Sequence, residues 1–179
     1  MKDKNIENEI EEKRITLAEA EKLMSEVIKE MEPHSERISP AGSVLRKKAT
    51  IGDLEVVVIA KPYSVGIFEN GLAKVVNQWV KIKGEMVYGL CKYTQRKLPC
   101  GMKLDIFFAT AENWGSILAI RTGSADYSHK VLAHGWSANG YKSEGGILVR
   151  EGERFNVPEE KDLFRMSGVK WVPPTERDL

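Results

Sequence analysis

The chain has 179 residues, 42% of them hydrophobic and 30% charged, with 15 glycines, 7 prolines and a net charge of +1. These proportions exclude a disordered, collagen-like or coiled-coil chain, and no apolar run approaches the roughly 20 residues that span a bilayer. The charge is uneven: residues 1–38 are net −4 and the remainder +5, and residues 81–103 set Lys81, Lys83, Lys92, Arg96, Lys97 and Lys103 against Glu85 alone. Such a stretch is either a polyanion-binding surface or a solvated lysine face.

In chain order, residues 1–13 read as a polar tail without an apolar h-region, so the expectation is a cytoplasmic chain with reduced thiols at Cys91 and Cys100. Thr16-x-x-Glu19 is a capping box. Leu17, Ala20, Leu23, Met24, Val27, Ile28 and Met31 follow at helical spacing until Pro33, which predicts one amphipathic helix over 16–32. Residues 38–45 hold a short strand and a turn. Leu54 to Ala60 is β-branched and bounded by Gly52 and Pro62, as a buried central strand would be. Residues 67–80 have helical spacing at Leu72, Val75, Val76 and Trp79. Strands are predicted over 86–93 and 103–109, joined by the basic, turn-rich stretch 94–102. Residues 113–150 are rich in Gly, Ser, Asn and aromatics. Pro158 to Met166 reads as a short helix with Gly168 at its end. The expected class is α+β: a domain over 14–112, then a smaller mixed subdomain over 113–179.

Three features carry chemistry. Gly42-Ser43, followed by Arg46, Lys47 and Lys48, is either a structural turn or a phosphate-binding one. Asp53 and Glu55 alternate along a strand and so share a face, which is unfavourable unless a cation lies between them. Asp105 interrupts an apolar strand; if that strand neighbours 54–60, three carboxylates meet at one end of a sheet beside a phosphate-binding turn. That is the arrangement of a two-metal phosphoryl-transfer site. His129 and His134 have no second ligand set near them in sequence. Trp79, Trp114, Trp136 and Trp171 are expected in the core, with Trp136 the candidate for base stacking. Cys91 and Cys100 are expected as small buried packing residues.

Gly42-Ser43-x-x-Arg46 with Gly52-Asp53-Leu54-Glu55, Leu104-Asp105-Ile106, Thr122-Gly123-Ser124 and the tail from Glu160 to Pro174 resemble DNA polymerase family X, the polymerase-beta-like nucleotidyltransferases. The resemblance implies a palm of mixed sheet and flanking helices, in a minimal form without the amino-terminal lyase and helix–hairpin–helix domains. It implies that Asp53, Glu55 and Asp105 hold two Mg²⁺ ions, or Mn²⁺, and that Arg14, Ser43, Arg46 and Gly52 bind the incoming triphosphate. Thr122, Gly123 and Ser124 would lie against the nucleotide sugar, with the 123–124 peptide cis as in the family. Lys103 would meet a primer phosphate, and Lys92, Arg96 and Lys97 would extend the DNA contact. Glu55 stands where the family has Asp, and Ile120 and Arg121 stand where it has aromatics.

The implied activity is transfer of a deoxynucleotide from dNTP to a primer 3′-hydroxyl on gapped or primed DNA, as a monomer and without a membrane. Two other readings stay open at this point: a nucleotidyltransferase acting on RNA, a protein or a small molecule, and a non-catalytic DNA-end-binding module.

Overall fold

The structure, a computed structural model, describes residues 13–62, 71–84 and 92–179. A two-residue strand β1 (Ile15–Thr16) leads into helix α1 (Leu17–Met31). Thr16 caps it: its Oγ1 accepts from the Glu19 amide at 3.3 Å, and Glu19 accepts from the Thr16 amide at 2.8 Å. Strand β2 (Ser35–Pro40), the single turn α2 (Gly42–Leu45), β3 (Thr50–Ile51) and β4 (Asp53–Ala60) follow. Next come helix α3 (Gly71–Asn77) and strands β5 (Val80–Gly84), β6 (Tyr93–Lys97) and β7 (Lys103–Phe108).

These build a five-stranded sheet in the order β2-β4-β7-β6-β5, in which β4 and β7 are parallel and the remaining pairs antiparallel. Alternation along the two central strands sorts their side chains. Leu54, Val56 and Val58 of β4, with Leu104 and Ile106 of β7, pack against Ala20, Met24, Val27 and Met31 of α1 and Leu72 and Val76 of α3. The other face begins with Asp53 and Glu55 on β4 and Asp105 on β7. Further along it turns apolar, where Val57 and Phe107 meet Ala41, Ala109 and Trp114.

The second half is built on a helical stretch: α4 (Trp114–Thr122), α5 (Ala125–Tyr127), a π-helical segment (Ser128–Ala133) and α6 (His134–Ala138). A three-stranded meander follows, of β8 (Lys142–Glu144), β9 (Ile147–Arg150) and β10 (Glu153–Phe155), and then helix α7 (Glu160–Met166). Ala119, Leu132, Trp136, Leu148, Leu163 and Phe164 form its core. Gly168 ends α7 at φ 69°, the left-handed conformation a glycine cap supplies.

The α+β class and the mixed sheet with flanking helices agree with the sequence reading. Several local expectations do not. The helix predicted over 67–80 runs Gly71–Asn77, and Val80–Gly84 is a strand; 67–70 lie outside the described residues. Of the strand predicted over 86–93, residues 86–91 lie outside the described residues; Tyr93–Lys97 is a strand, so 94–97, read as turn, are corrected and the turn shrinks to 98–102 with Gly101 at φ 91°. Residues 85–91, Cys91 included, lie outside the described residues. Cys100 is exposed in that tight turn rather than buried. Trp79, Trp114 and Trp136 are buried as expected, so Trp136 is no stacking platform; Trp171 is 38% exposed.

Candidate active site

The parallel pairing puts Glu55 directly beside Asp105 and Asp53 beside Lys103. Asp53, Glu55 and Asp105 therefore share one face at one end of the sheet. Glu55 is partly buried and pushed up to about 7, first by burial and then by the charges of Asp53 and Asp105; Arg46 and Arg121 pull the other way. Its carboxylate lies in a notch at Gly42. A Cβ there would run into Glu55 Oε2 and Cδ, and Gly42 also has φ 62°, so glycine is required twice over.

Asp105 is held by the neighbouring strand. Its Oδ1 accepts from the Tyr93 hydroxyl at 2.5 Å and from Gln95 Nε2 at 2.8 Å. Burial and the bond to Asp105 raise the Tyr93 pKa, so the phenol stays a proton donor. Gln95 stands opposite Asp105 in the β6–β7 register, and Tyr93 lies on the same face two residues away. The sequence reading missed both as site residues: it put Tyr93 at the end of a strand and Gln95 in the turn that followed.

Beside the acids opens a cavity of about 420 Å³ lined by Arg14, Ser43, Arg46, Lys48, Gly52, Asp53 and Lys103, among others. Arg14, Ser43, Arg46 and Gly52, separately singled out for an anionic ligand, are brought together here, and Lys48 and Lys103 join them. The Ser43 hydroxyl is buried with no hydrogen-bond partner among the described residues. Burial lowers the Arg46 pKa, while Glu55 and Asp53 hold it up. A pocket of this sign and polarity suits a polyanion.

Arg46 also reaches the second half of the chain: its Nη1 donates to the Thr122 carbonyl at 2.8 Å. The Thr122-Gly123-Ser124 turn is thus fastened to the cavity wall. The expected cis peptide is absent, since no described residue has one. Gly123 is extended at φ −67° and ψ 156°, its amide closes α4 on Ala119, and the Ser124 amide donates to the Arg177 carbonyl at 2.9 Å. The Gly123 and Ser124 amides and the Thr122 carbonyl all have partners in this trans form, while the buried Thr122 hydroxyl has none among the described residues. Glycine at 123 answers to packing: a Cβ would stand 2.9 Å from Ser128 Oγ and 3.0 Å from Tyr127 Cδ1.

The four basic residues assigned to DNA do not form one surface. Arg96 is 4% exposed and turned to the helix side of the sheet, where Nε donates to Thr94 Oγ1 at 3.1 Å and Nη1 to the Trp79 carbonyl at 3.4 Å. Its side chain belongs to the core, because position 96 alternates with Gln95 and Lys97 on β6. Lys97 is exposed and paired across the strands with Lys103. Lys92 lies apart, on a second cavity of about 410 Å³ with Tyr93, Phe107, Asn113, Ile117 and Arg121. Arg121 stacks over Phe107 at 4.1 Å and bears electrostatically on Glu55, a role the sequence did not suggest.

No family profile matches the sequence. The chain is 26% identical over 163 residues to DNA polymerase lambda of Rattus norvegicus, a match covering 76% of this chain and 28% of that polymerase. The chain thus spans little more than a quarter of the relative's length. The likeness supports a distant relation to the polymerase-beta-like family, and to a polymerase-like nucleotidyltransferase.

Among the described residues no three carboxylate, imidazole or thiol groups are drawn together as a ready metal cage. Glu55 lies back towards Gly42, and Asp105 is engaged by Tyr93 and Gln95. The donor chemistry nevertheless fits a hard divalent cation. Three carboxylates share a face, and burial together with the charges of Asp53 and Asp105 drives Glu55 towards its neutral form despite Arg46 and Arg121, a repulsion that a bound cation would relieve. Among the described residues no helix is long and apolar enough to cross a membrane.

Proposed function

We propose that this chain is a DNA polymerase of the polymerase-beta-like type, adding a deoxynucleotide from dNTP to a primer 3′-hydroxyl, with gap filling as its task. Residues 14–112 would form the palm and 113–179 the nucleotide-covering subdomain. The observation that carries the reading is the acid row of Asp53, Glu55 and Asp105 set against the cationic cavity. One group recognises a polyphosphate, the other the reacting centre, and the two share Asp53 as a wall.

The residues divide the work. Arg14, Arg46 and Lys48 bind the triphosphate, Lys103 stands on the same cavity between the triphosphate and the primer-end phosphate, and Ser43 donates to a phosphate oxygen. Arg46 bonds the Thr122 carbonyl, so the same guanidinium that meets phosphate also sets the turn over the sugar. Tyr93 and Gln95 hold Asp105 through Oδ1 and so fix the plane of its carboxylate; Asp105 then orients the 3′-hydroxyl and takes its proton as the oxygen attacks the α-phosphorus and pyrophosphate leaves. Asp53, Glu55 and Asp105 would hold Mg²⁺, which supplies charge neutralisation at the transferring phosphoryl group.

One observation favours a second acceptor class. With Arg96 in the core and Lys92 apart from Lys97 and Lys103, the described basic residues give no continuous track for a duplex. An RNA, protein or small-molecule acceptor would need none. Primer extension separates the readings: gapped, nicked and single-stranded DNA and a matching RNA primer, each with dNTPs and NTPs in Mg²⁺ or Mn²⁺. Templated extension of gapped DNA, lost in Asp53→Asn and Asp105→Asn, is the expected result. Extension of RNA alone, or nucleotide transfer without a template, would favour the second class; nucleotide binding without transfer to any acceptor would refute both.

A further inference from the structure

The last residues of the chain return to the cationic cavity. Arg177 is fully buried. Its Nε donates to the Val172 carbonyl at 2.9 Å, and Nη1 and Nη2 donate to the two carboxylate oxygens of Glu160 at 2.5 and 3.1 Å. The guanidinium also lies over the rings of Phe164 at 4.8 Å and Trp171 at 5.5 Å. This clamp fixes the path of the residues beyond it. The Ser124 amide donates to the Arg177 carbonyl, and the Leu179 amide to Ser124 Oγ at 3.3 Å. Between these anchors Asp178 extends its carboxylate to Lys48 Nζ and to within 3.7 Å of Arg46 Nε. Lys48 and Arg46 are two of the cations lining the cavity.

We infer that Asp178 is a built-in stand-in for phosphate: its carboxylate neutralises Arg46 and Lys48 until a polyphosphate displaces it, so this residue sets the affinity of the cavity. The inference rests on the reading of the cavity as a triphosphate site. Its physical basis is the kind of contact involved. Arg46 Nε has no hydrogen-bond partner among the described residues, so Asp178 holds it by charge without a directional bond, and such a contact exchanges readily. A phosphate brings more charge and more acceptor oxygens to the same two cations than a carboxylate does. A polyphosphate in the cavity reaches Arg14, Ser43 and Lys103 on its wall as well. Ligand binding therefore exchanges one anion for another, and the strength of the Asp178 contact is subtracted from the affinity.

Isothermal titration of the full chain with inorganic tripolyphosphate tests this. Asp178→Asn removes the competing charge at nearly constant shape, and should tighten binding about three- to tenfold, as expected for two partly exposed ion pairs. Glu176→Gln makes the same charge change two residues away on an exposed side chain, and should leave affinity unchanged within about 1.5-fold on the same scale of surface effects. Equal or weaker binding by Asp178→Asn would overturn the inference, the weaker case making Asp178 a positioning residue for the two cations. A gain in Glu176→Gln as large as that in Asp178→Asn would overturn it too, since the cause would be the general field. Absence of binding in all three proteins would remove the triphosphate reading of the cavity itself.

Discussion

Glu55→Gln isolates the electrostatic cost of the acid row. Glu55 is pushed from 4.5 up to about 7 by burial and by the charges of Asp53 and Asp105. At about 1.4 kcal/mol per pH unit, the ionised side chain withholds at most about 3.5 kcal/mol from folding; relaxation around the charge brings the expectation to about 1–2 kcal/mol. The sign follows from which state holds the proton. The folded value is the higher one, so the native protein keeps a proton that the unfolded chain releases between 4.5 and about 7. Stability therefore falls as pH rises through that window, carries the full penalty above it and none below it. Glutamine has nearly the same shape and fits the notch at Gly42, but it does not titrate. Urea unfolding followed by tryptophan fluorescence should find Glu55→Gln more stable than the wild type by about 1–2 kcal/mol at pH 8 and equal to it at pH 4.5. Added Mg²⁺ should stabilise the wild type more than the variant at pH 8. A stability difference independent of pH, or a less stable variant at pH 8, would refute the reasoning.

Tyr93→Phe removes one of the two donors on Asp105 Oδ1; the variant should fold normally and lose roughly tenfold or more in turnover with little change in nucleotide KM, read by steady-state kinetics. Arg96→Met should cost about 1–3 kcal/mol by urea unfolding, through the bond lost at the Trp79 carbonyl and the bond no longer accepted by Thr94 Oγ1, which still donates to the Lys83 carbonyl, and should not change the salt dependence of DNA binding. Lys97→Glu with Lys103→Glu should flatten that dependence by up to about two phosphates' worth of slope; an unchanged slope would remove both residues from the DNA contact. Gly42→Ala should express poorly or unfold early on heating, because its Cβ has no room beside the Glu55 carboxylate.

The shared face of Asp53 and Glu55 was legible in the sequence because it depends on a two-residue period, a local property of the strand; that Asp105 joins them depends on the parallel pairing of β4 with β7, which the sequence left as a condition. The capping box at Thr16 was legible because it too is local. The strand character of residues 94–97 was hidden because Thr94 and Arg96 are polar residues on the core side, and Arg96 finds partners in Thr94 and in a carbonyl at Trp79, seventeen residues away. Helix α4 was hidden by Gly115, a poor helix former placed there by tertiary contact: a Cβ would collide with the backbone of Glu159. The trans peptide at 123–124 and the reach of Asp178 to Lys48 both depend on how the tail closes over the second core. No short window of sequence contains that information.

The side-by-side register of Glu55 and Asp105 constrains how this chain can change length. Inserting or deleting one residue within β4 or β7 before these acids would turn the carboxylates towards the helices and bring Leu54 or Leu104 to the cavity side. Core and site would be lost in the same event, and no compensating point substitution could restore either. Length variation among working descendants of this sequence should therefore fall outside the spans Asp53–Ala60 and Lys103–Phe108, as in the turn at 98–102, and leave those two strands untouched.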